Sequence, residues 1–276
     1  MPAALRPPLP TTLPQGVTVD PISAFKDNYI WCLRAGANAV VVDPGEAAPV
    51  LALLRDQGLA LTGILLTHHH NDHIGGVAAL VAALGPMPVH APHDPRIDSA
   101  TVRVGNGDRV ELAGLTPAGV PPIAFDVLEV PGHTSSHIAF HGHGLLFSGD
   151  TLFSVGCGRM FEGTPEQMSA SLDRLAALPG NTRVYCGHEY TVANIAFARA
   201  VEPDNPALDA WAAEVERLRQ SGQPSLPSKL STECATNPFL RCAQPAVARS
   251  AALHAGRPLG SSVEVFAELR AWKNVF

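Results

Sequence analysis

A dense group of possible metal ligands lies in the run Thr67-His68-His69-His70-Asn71-Asp72-His73. The run has the form T-H-x-H-x-D-H and places His68, His70, Asp72 and His73 within six residues. Imidazole and carboxylate groups are the usual non-sulfur ligands of zinc and similar divalent ions. A His-rich loop that binds nothing, or a metal-scavenging tract, is the alternative. The flanking segments favour a catalytic metal site.

Those flanking segments predict that the run is a loop after a strand. Residues 61–66 are apolar and predict a buried strand, whereas residues 74–80 indicate a loop that enters a helix. Active sites tend to lie on such loops because a rigid scaffold holds them. Three further candidate ligands, His133, Asp150 and His188, also follow predicted strands. We therefore expect the ligands to converge at one edge of an αββα sheet sandwich.

The pattern of apolar and turn residues divides the chain into three parts. We predict a disordered proline-rich arm over residues 1–16, a strand-rich domain with the candidate ligands over 17–190 and a helical domain over 191–276. The segment 102–112 contains Gly105-Asn106-Gly107-Asp108 between short β-prone runs, which predicts a hairpin. The expected strands are 17–19, 28–33, 38–42, 64–66, 88–91, 125–130, 137–141, 144–148 and 182–186, and the expected helices are 48–57, 77–84, 165–178, 193–200, 206–220 and 262–275.

Composition excludes several classes of protein. The formal charge of −6 and the scarcity of Lys/Arg runs argue against a nucleic-acid partner. No apolar run is long enough to cross a bilayer, and the N-terminus lacks the apolar core of a secretory signal. Five scattered cysteines without a C-x-x-C pair argue against a disulfide framework or a thiolate zinc site. We expect a cytoplasmic monomer without a membrane partner.

The motifs, in order along the chain, resemble the metallo-β-lactamase superfamily. The T-H-x-H-x-D-H run is followed by Gly-His-Thr at 132–134, Ser-Gly-Asp-Thr at 148–151 and Gly-His-Glu at 187–189. Within that superfamily the chain resembles the glyoxalase II family, the hydroxyacylglutathione hydrolases. The resemblance implies an α/β fold, an αββα metallo-β-lactamase sandwich with a C-terminal helical domain. It also implies that residues 17–190 form the catalytic domain and residues 191–276 a helical substrate-binding domain. The segments that carry the closer match are 25–31 (FKDNYIW), 156–164 (GCGRMFEGT), 186–191 (CGHEYT) and 235–241 (ATNPFLR).

The resemblance also implies a centre of two divalent metal ions. We expect zinc, and iron or manganese fit the same oxygen and nitrogen donors. His69 lies between ligands, and its ring is expected to point elsewhere, whereas His137 either supports a ligand or belongs to the core. The implied ligands are His68, His70 and His133 for the first ion and Asp72, His73 and His188 for the second, with Asp150 as the bridge.

The chemistry expected of such a centre is thioester hydrolysis. A hydroxide held between the metals would attack the carbonyl carbon, so no side chain needs to be the nucleophile. Cys157 and Cys186 have no evident base partner and are expected to be small buried residues. By resemblance the substrate is S-D-lactoylglutathione, and the products are glutathione and D-lactate, the second step of methylglyoxal detoxification.

Five residues are expected to contact the glutathione part of the substrate. Arg159 and Phe161 match a basic and an aromatic position of the family, in which the aromatic residue is often tyrosine, so that one hydroxyl contact is lost here. Tyr190 matches a further ligand contact. Arg241 is a candidate for a glutathione carboxylate, with a surface salt bridge as the alternative, and Lys273 is a further candidate.

Relatives with the same metal motif supply the alternative functions. A persulfide dioxygenase, a different thioesterase, a lactonase or a β-lactamase would share the metal-binding loop but differ in the substrate pocket. The helical tail with Asn-Pro-Phe-Leu-Arg at 237–241 favours glyoxalase II over these enzymes. The seven-ligand set and the acidic charge argue against a non-catalytic module or a nucleic-acid-binding module.

Overall fold

The computed structural model describes residues 8–116 and 122–276 and is built around two β-sheets, each with six strands. The strand order is β1-β2-β3-β4-β5-β6 in the first sheet and β14-β13-β10-β9-β8-β7 in the second, and β11 and β12 form a separate hairpin. The strands are β1 (Val17–Ala24), β2 (Asn28–Ala35), β3 (Asn38–Val42), β4 (Ala60–Leu65), β5 (Val89–Pro92), β6 (Val102–Val104), β7 (Arg109–Glu111), β8 (Ala124–Glu129), β9 (Ile138–Gly142), β10 (Leu145–Gly149), β11 (Leu152–Phe153), β12 (Gly156–Cys157), β13 (Arg183–Cys186) and β14 (Ser228–Lys229).

Helices cover the outer faces of both sheets. The first sheet is covered by α1 and α3, and the second by α4 together with helices of the C-terminal region. None of the helices in the described part of the chain is long and apolar enough to cross a membrane. The helices are α1 (Ala47–Gln57), α2 (Asn71–Ile74), α3 (Val77–Leu84), α4 (Pro165–Ala176), α5 (Thr191–Val201), α6 (Pro206–Gln220), α7 (Leu230–Thr236), α8 (Pro245–Ala255) and α9 (Ser262–Val275).

The core lies between the two sheets because their strands alternate in side-chain direction. In β2, Trp31 and Leu33 pack between the sheets, whereas Ile30 and Cys32 face the helices on the other side. Phe125 and Phe147 of the second sheet join the same inner cluster. The predicted αββα sandwich with a C-terminal helical region is confirmed.

Parallel pairing brings the loops that carry the candidate ligands to one edge of the sandwich. Strands β3 and β4 are parallel, so Asp43 and the T-H-x-H-x-D-H loop leave the first sheet at the same edge. Strands β10 and β13 are parallel in the second sheet, so Asp150 and His188 also lie at one edge. The sheet pairing therefore assembles a site from residues that are far apart in sequence.

Two expectations from the sequence differ from the structure. The predicted 102–112 hairpin is wrong: β6 pairs in parallel with β5 of the first sheet, and β7 pairs with β8 of the second. Its Gly-Asn-Gly-Asp turn therefore carries the chain from one sheet to the other. Of the predicted 1–16 arm, residues 1–7 lie outside the described residues. The described remainder is not a free arm, because Leu13 packs against the inner core and the Thr12 carbonyl accepts a hydrogen bond from His143.

Candidate metal centre

Three imidazole rings form what we call the first cluster, defined as His68, His70 and His133. His70 Nδ1 lies 3.1 Å from His68 Nε2 and 2.9 Å from His133 Nε2. Burial lowers the pKa of His68 well below its usual range. Burial, and to a smaller extent the charge of His133, lowers the pKa of His70 to about 4. Neutral rings whose nitrogens converge on one point offer lone pairs to a cation.

The second cluster is defined as Asp72, His73 and His188. Asp72 Oδ2 lies 3.6 Å from His73 Nε2 and 3.4 Å from His188 Nε2. Asp72 and His73 lie on the short helix α2, which starts within the T-H-x-H-x-D-H run, and His188 follows β13 of the other sheet. Two nitrogens and one carboxylate oxygen thus face each other across the edge of the sandwich.

Asp150 lies between the two clusters. Its carboxylate oxygens are 3.5 Å from His133 Nε2, 3.4 Å from His73 Nε2 and 3.2 Å from His188 Nε2. The side chain is almost fully buried. Its contacts with both clusters are those that the predicted bridging role requires. A carboxylate in this position offers one oxygen to each of two cations.

Unsatisfied buried atoms show that the clusters fit metal ions. Within the described residues, His73 Nε2 and Asp150 Oδ1 are buried and have no hydrogen-bond partner, although they face each other. Burial opposes a proton on His188, but the charge of Asp150 raises the pKa of that ring to about 10. The same negative potential favours a metal cation. The donor set, five imidazole nitrogens and two carboxylates, suits two divalent ions.

Contacts on the far side of the rings fix their orientation. Thr67 Oγ1 donates to Asp43 Oδ2 (2.7 Å) and therefore accepts from His68 Nδ1 (3.0 Å), which leaves His68 Nε2 free for a metal. His73 Nδ1 donates to Asp43 Oδ2 (3.0 Å), and His133 Nδ1 donates to the Arg159 carbonyl (2.7 Å). Such partners set the tautomer and raise the basicity of the ligand. Because both Asp43 oxygens already accept hydrogen bonds, Asp43 supports the site rather than ligating a metal.

The two histidines that were not assigned as ligands have different surroundings. His69 points away from both clusters, toward Asp94 (3.5 Å) and Glu162 (3.5 Å), as expected. His137 is fully buried, stacks on His68 with ring centroids 4.6 Å apart, and accepts a hydrogen bond from the Asp150 amide (3.1 Å). It therefore belongs to the core and supports ligands as well.

A cleft of about 660 Å³ opens over the two clusters. Phe161 is 64% exposed, and its ring lies 5.5 Å from that of His70, so it forms a rim beside the first cluster. Tyr190 stacks on His188 with centroids 4.7 Å apart, beside the second cluster. The residues lining the cleft include four of the five predicted substrate contacts, namely Arg159, Phe161, Tyr190 and Lys273.

Arg241, the fifth predicted contact, is not brought to this cleft. Its Nε and Nη2 donate to the two oxygens of Glu202 at 2.9 and 2.7 Å, and Nη1 donates to the Cys234 carbonyl. The guanidinium is thus occupied within the helical region, which corresponds to the salt-bridge alternative. These contacts favour that alternative over glutathione binding by Arg241.

Sequence reasoning missed Arg270, which lines the cleft. It is only 4% exposed, donates from Nη1 to the Cys157 carbonyl (2.8 Å), and has an Nε that no described residue satisfies. The available signal was its spacing: Arg270 precedes Lys273 by three residues on α9, so both side chains lie on one helix face. Two cations therefore project from α9 toward the same cleft.

Replacement of His188 by alanine should deplete the second metal more than the first. His188 contributes a nitrogen to the second cluster alone, whereas the first cluster keeps all three rings. Elemental analysis of the purified variant should show about one metal per chain where the wild type holds two. Equal loss from both sites, or full retention, would contradict this partition of the ligands.

Comparison with known proteins places the chain in a family. A model of the metallo-beta-lactamase superfamily matches residues 26–188, and one of the hydroxyacylglutathione hydrolase C-terminus matches 189–276. The chain is 54% identical over 256 residues to a hydroxyacylglutathione hydrolase of Xanthomonas campestris, covering 92% of this chain and 97% of that protein. It is 52% identical over 269 residues to one of Cupriavidus taiwanensis, covering 94% and 98% of the two chains.

Solved structures share the fold of this chain. TTHA1623 in a di-iron-bound form aligns with a TM-score of 0.54 and 30% identity over 80% of this chain and all of that one. ETHE1 from Myxococcus xanthus aligns with a TM-score of 0.61 over 94% of this chain and 99% of that one, and at 24% identity it shows the shared fold alone. The paired clusters, the sheet sandwich and the relatives agree, and the chain belongs to the hydroxyacylglutathione hydrolase family of the metallo-β-lactamase superfamily.

Proposed function

We propose that the chain hydrolyses S-2-hydroxyacylglutathione thioesters, with S-D-lactoylglutathione as substrate and glutathione and D-lactate as products. The observation that carries this proposal is the position of the first and second clusters. They form one wall of a cleft, and Arg270 and Lys273 lie on another wall. Glutathione carries two carboxylates, and its thioester carbonyl must reach the metal centre. The named relatives at about half identity support the same reaction.

The side chains of the site hold and orient the reacting groups and do not attack the substrate. Two divalent ions bound there would supply a nucleophilic water of lowered pKa and would polarise the thioester carbonyl as Lewis acids. Asp150 would anchor both ions, and the hydrogen bond to the Arg159 carbonyl keeps His133 in place. Burial raises the pKa of the Cys157 and Cys186 thiols, so neither is a nucleophile at neutral pH.

Zinc is the metal that we propose for both positions. The nitrogen and oxygen donors also accept iron or manganese, and metal availability often decides between them. The related TTHA1623 has been solved with two irons, which supports a dinuclear centre in this fold. Elemental analysis of the protein purified from its native host tests the metal identity.

The helical region supplies the two cations of the substrate site in this proposal. Within the proposed division, residues 17–190 carry the metal ligands and residues 191–276 carry Arg270 and Lys273. The described cysteines are all free thiols, which supports a reducing, cytoplasmic location. Both groups of residues lie in one chain, so the proposed site needs no second copy, and we propose a monomer.

An assay of S-D-lactoylglutathione, followed by thioester absorbance, tests the function directly. We expect hydrolysis that is abolished by a chelator and restored by added Zn²⁺. The control substrate is the S-D-lactoyl thioester of a small thiol without carboxylates, which should show a much higher KM. No hydrolysis of the glutathione thioester by the metal-loaded protein would refute the proposal.

The charge of Lys273 should control substrate affinity above neutral pH. Burial, and to a smaller extent the nearby charge of Arg270, lowers the pKa of Lys273 to about 8. The Lys273 side chain is therefore mostly charged below pH 8 and loses its positive charge as the pH rises through that value. The value of kcat/KM should fall on the basic side as a result. A charge-assisted hydrogen bond is about twice as strong as a neutral one, and we expect a fall of about 5- to 10-fold.

The variant Lys273→Arg provides the matched control for this pH profile. Guanidinium remains charged at every pH of the assay, so the basic limb near pH 8 should disappear. The pH dependence of kcat/KM for both proteins is the measurement. If the two profiles fell together above pH 8, a group other than Lys273 would be responsible.

A further inference from the structure

We propose that Asp27 and Asn28 are positioning residues that set the metal affinity of the second cluster and leave the first cluster unchanged. Neither belongs to the seven proposed ligands. The inference rests on the proposed dinuclear centre and goes beyond it, because it assigns a role to the Phe-Lys-Asp-Asn-Tyr segment at 25–29. This segment carries the family resemblance, but the mechanism above gives it no function.

Each of the two residues holds a different ligand of the second cluster. Asp27 Oδ1 accepts a hydrogen bond from His188 Nδ1 at 2.9 Å, on the side of the ring opposite the metal-facing Nε2. Asn28 Nδ2 donates to Asp72 Oδ2 at 3.0 Å and approaches the Asp72 carbonyl at 3.4 Å. Two consecutive side chains thus orient two of the three ligands.

Backbone pairing makes this segment a rigid support. Asn28 forms an isolated antiparallel bridge with His188, although the two residues belong to different halves of the sandwich. The Tyr29 amide donates to the Gly187 carbonyl (2.8 Å), and the Glu189 amide donates to the Asp27 carbonyl (2.8 Å). The loop that carries His188 is therefore clamped to the turn before β2, and the side-chain contacts have little freedom to shift.

The turn itself is held in an uncommon backbone conformation. Phe25 has φ of 49°, in the left-handed region that bulky side chains rarely adopt. Its amide donates to Glu46 Oε2 at 2.6 Å, next to the start of α1. Such a conformation persists only where surrounding contacts enforce it, and it is common at functional sites. Here it turns the chain so that Asp27 and Asn28 both face the second cluster.

Within the described residues, the far-side partners of the first cluster differ from these because none of them is a carboxylate. Its rings donate to uncharged acceptors: His68 donates to Thr67 Oγ1, and His133 donates to the Arg159 carbonyl. The rings of the second cluster donate to the carboxylates of Asp43 and Asp27. Loss of the Asp27 charge would thus weaken His188 as a ligand, because a carboxylate partner makes imidazole a stronger donor. The effect should be confined to the second cluster.

Zinc binding to Asp27→Asn and Asn28→Ala tests this proposal, with Tyr29→Phe as the matched control. Tyr29 lies in the same segment, but its hydroxyl donates to Glu189 and touches no ligand. Metal-free protein is titrated with Zn²⁺ against a chromophoric chelator. We expect one of the two sites to weaken by about 10- to 100-fold in the first two variants, and neither site to change in the control. Thermal unfolding of the metal-free proteins verifies that they are folded.

Double variants identify which site weakens. Added to His188→Ala, Asp27→Asn should change the remaining site little, because both substitutions act on the second cluster. Added to His70→Ala, it should weaken the only intact site. Equal weakening of both sites, no weakening, or a Tyr29→Phe result equal to that of Asp27→Asn would overturn the proposal. A wild-type protein that binds fewer than two zinc ions would instead refute the dinuclear centre on which it rests.

Discussion

Replacement of Asp150 by alanine should abolish thioester hydrolysis and remove metal from both clusters. This carboxylate lies within 3.5 Å of one ring nitrogen of the first cluster and two of the second. Its loss would leave each cation short of one anionic ligand in a buried site. Loss of a single electrostatic donor can cost about 10²–10³ in kcat, so loss of a metal centre should cost at least about 10³-fold.

Steady-state kinetics and elemental analysis of the same preparation test this expectation. The variant Asp150→Asn keeps the shape but not the charge, and it should resemble Asp150→Ala in activity. Asp126→Ala is the control, since it removes a carboxylate of β8 that pairs with Arg109, outside the site. Near-normal activity of Asp150→Ala with two metals still bound would show that Asp150 does not bridge.

The candidate metal ligands could be located in the sequence because their signal is local. The T-H-x-H-x-D-H run and the motifs around His133, Asp150 and His188 each follow a strand, and parallel pairing brings strand ends to one edge. The roles of Asp27 and Asn28 could not be derived in this way. Their ligand contacts span 161 and 44 residues of sequence, so only the assembled fold reveals them.

The strand pairing at 102–112 and the partner of Arg241 depend on contacts that sequence patterns do not encode. The Gly-Asn-Gly-Asp turn at 105–108 is compatible both with a hairpin and with a connection between two sheets. Which of the two forms depends on the strands with which β6 and β7 pair. Arg241 and Arg270 offer the same guanidinium chemistry, so the sequence alone does not distinguish them. What separates them is that Glu202 lies against Arg241, whereas the described residues leave Arg270 Nε without a partner in the cleft.

The two arginines should therefore respond in opposite ways to substitution. Arg270→Ala should raise KM for S-D-lactoylglutathione by about 10- to 150-fold, because a buried charge-assisted hydrogen bond contributes roughly 1.5–3 kcal/mol. A contact with a glutathione carboxylate persists from ground state to transition state, so kcat should change little. Arg241→Ala should leave KM unchanged and lower only the melting temperature, since its guanidinium pairs with Glu202.

A structural role of Arg270 must be separated from substrate binding. Its guanidinium also donates to the Cys157 carbonyl and lies 5.1 Å from the centre of the Phe239 ring, so alanine will lower stability as well. Arg270→Lys keeps a positive charge and should recover part of the lost affinity. The dimethyl ester of the substrate, which lacks both carboxylates, should show nearly the same KM with wild type and variant. If Arg270→Ala impaired the ester as much as the acid, or if Arg241→Ala raised KM equally, carboxylate recognition would not reside in Arg270.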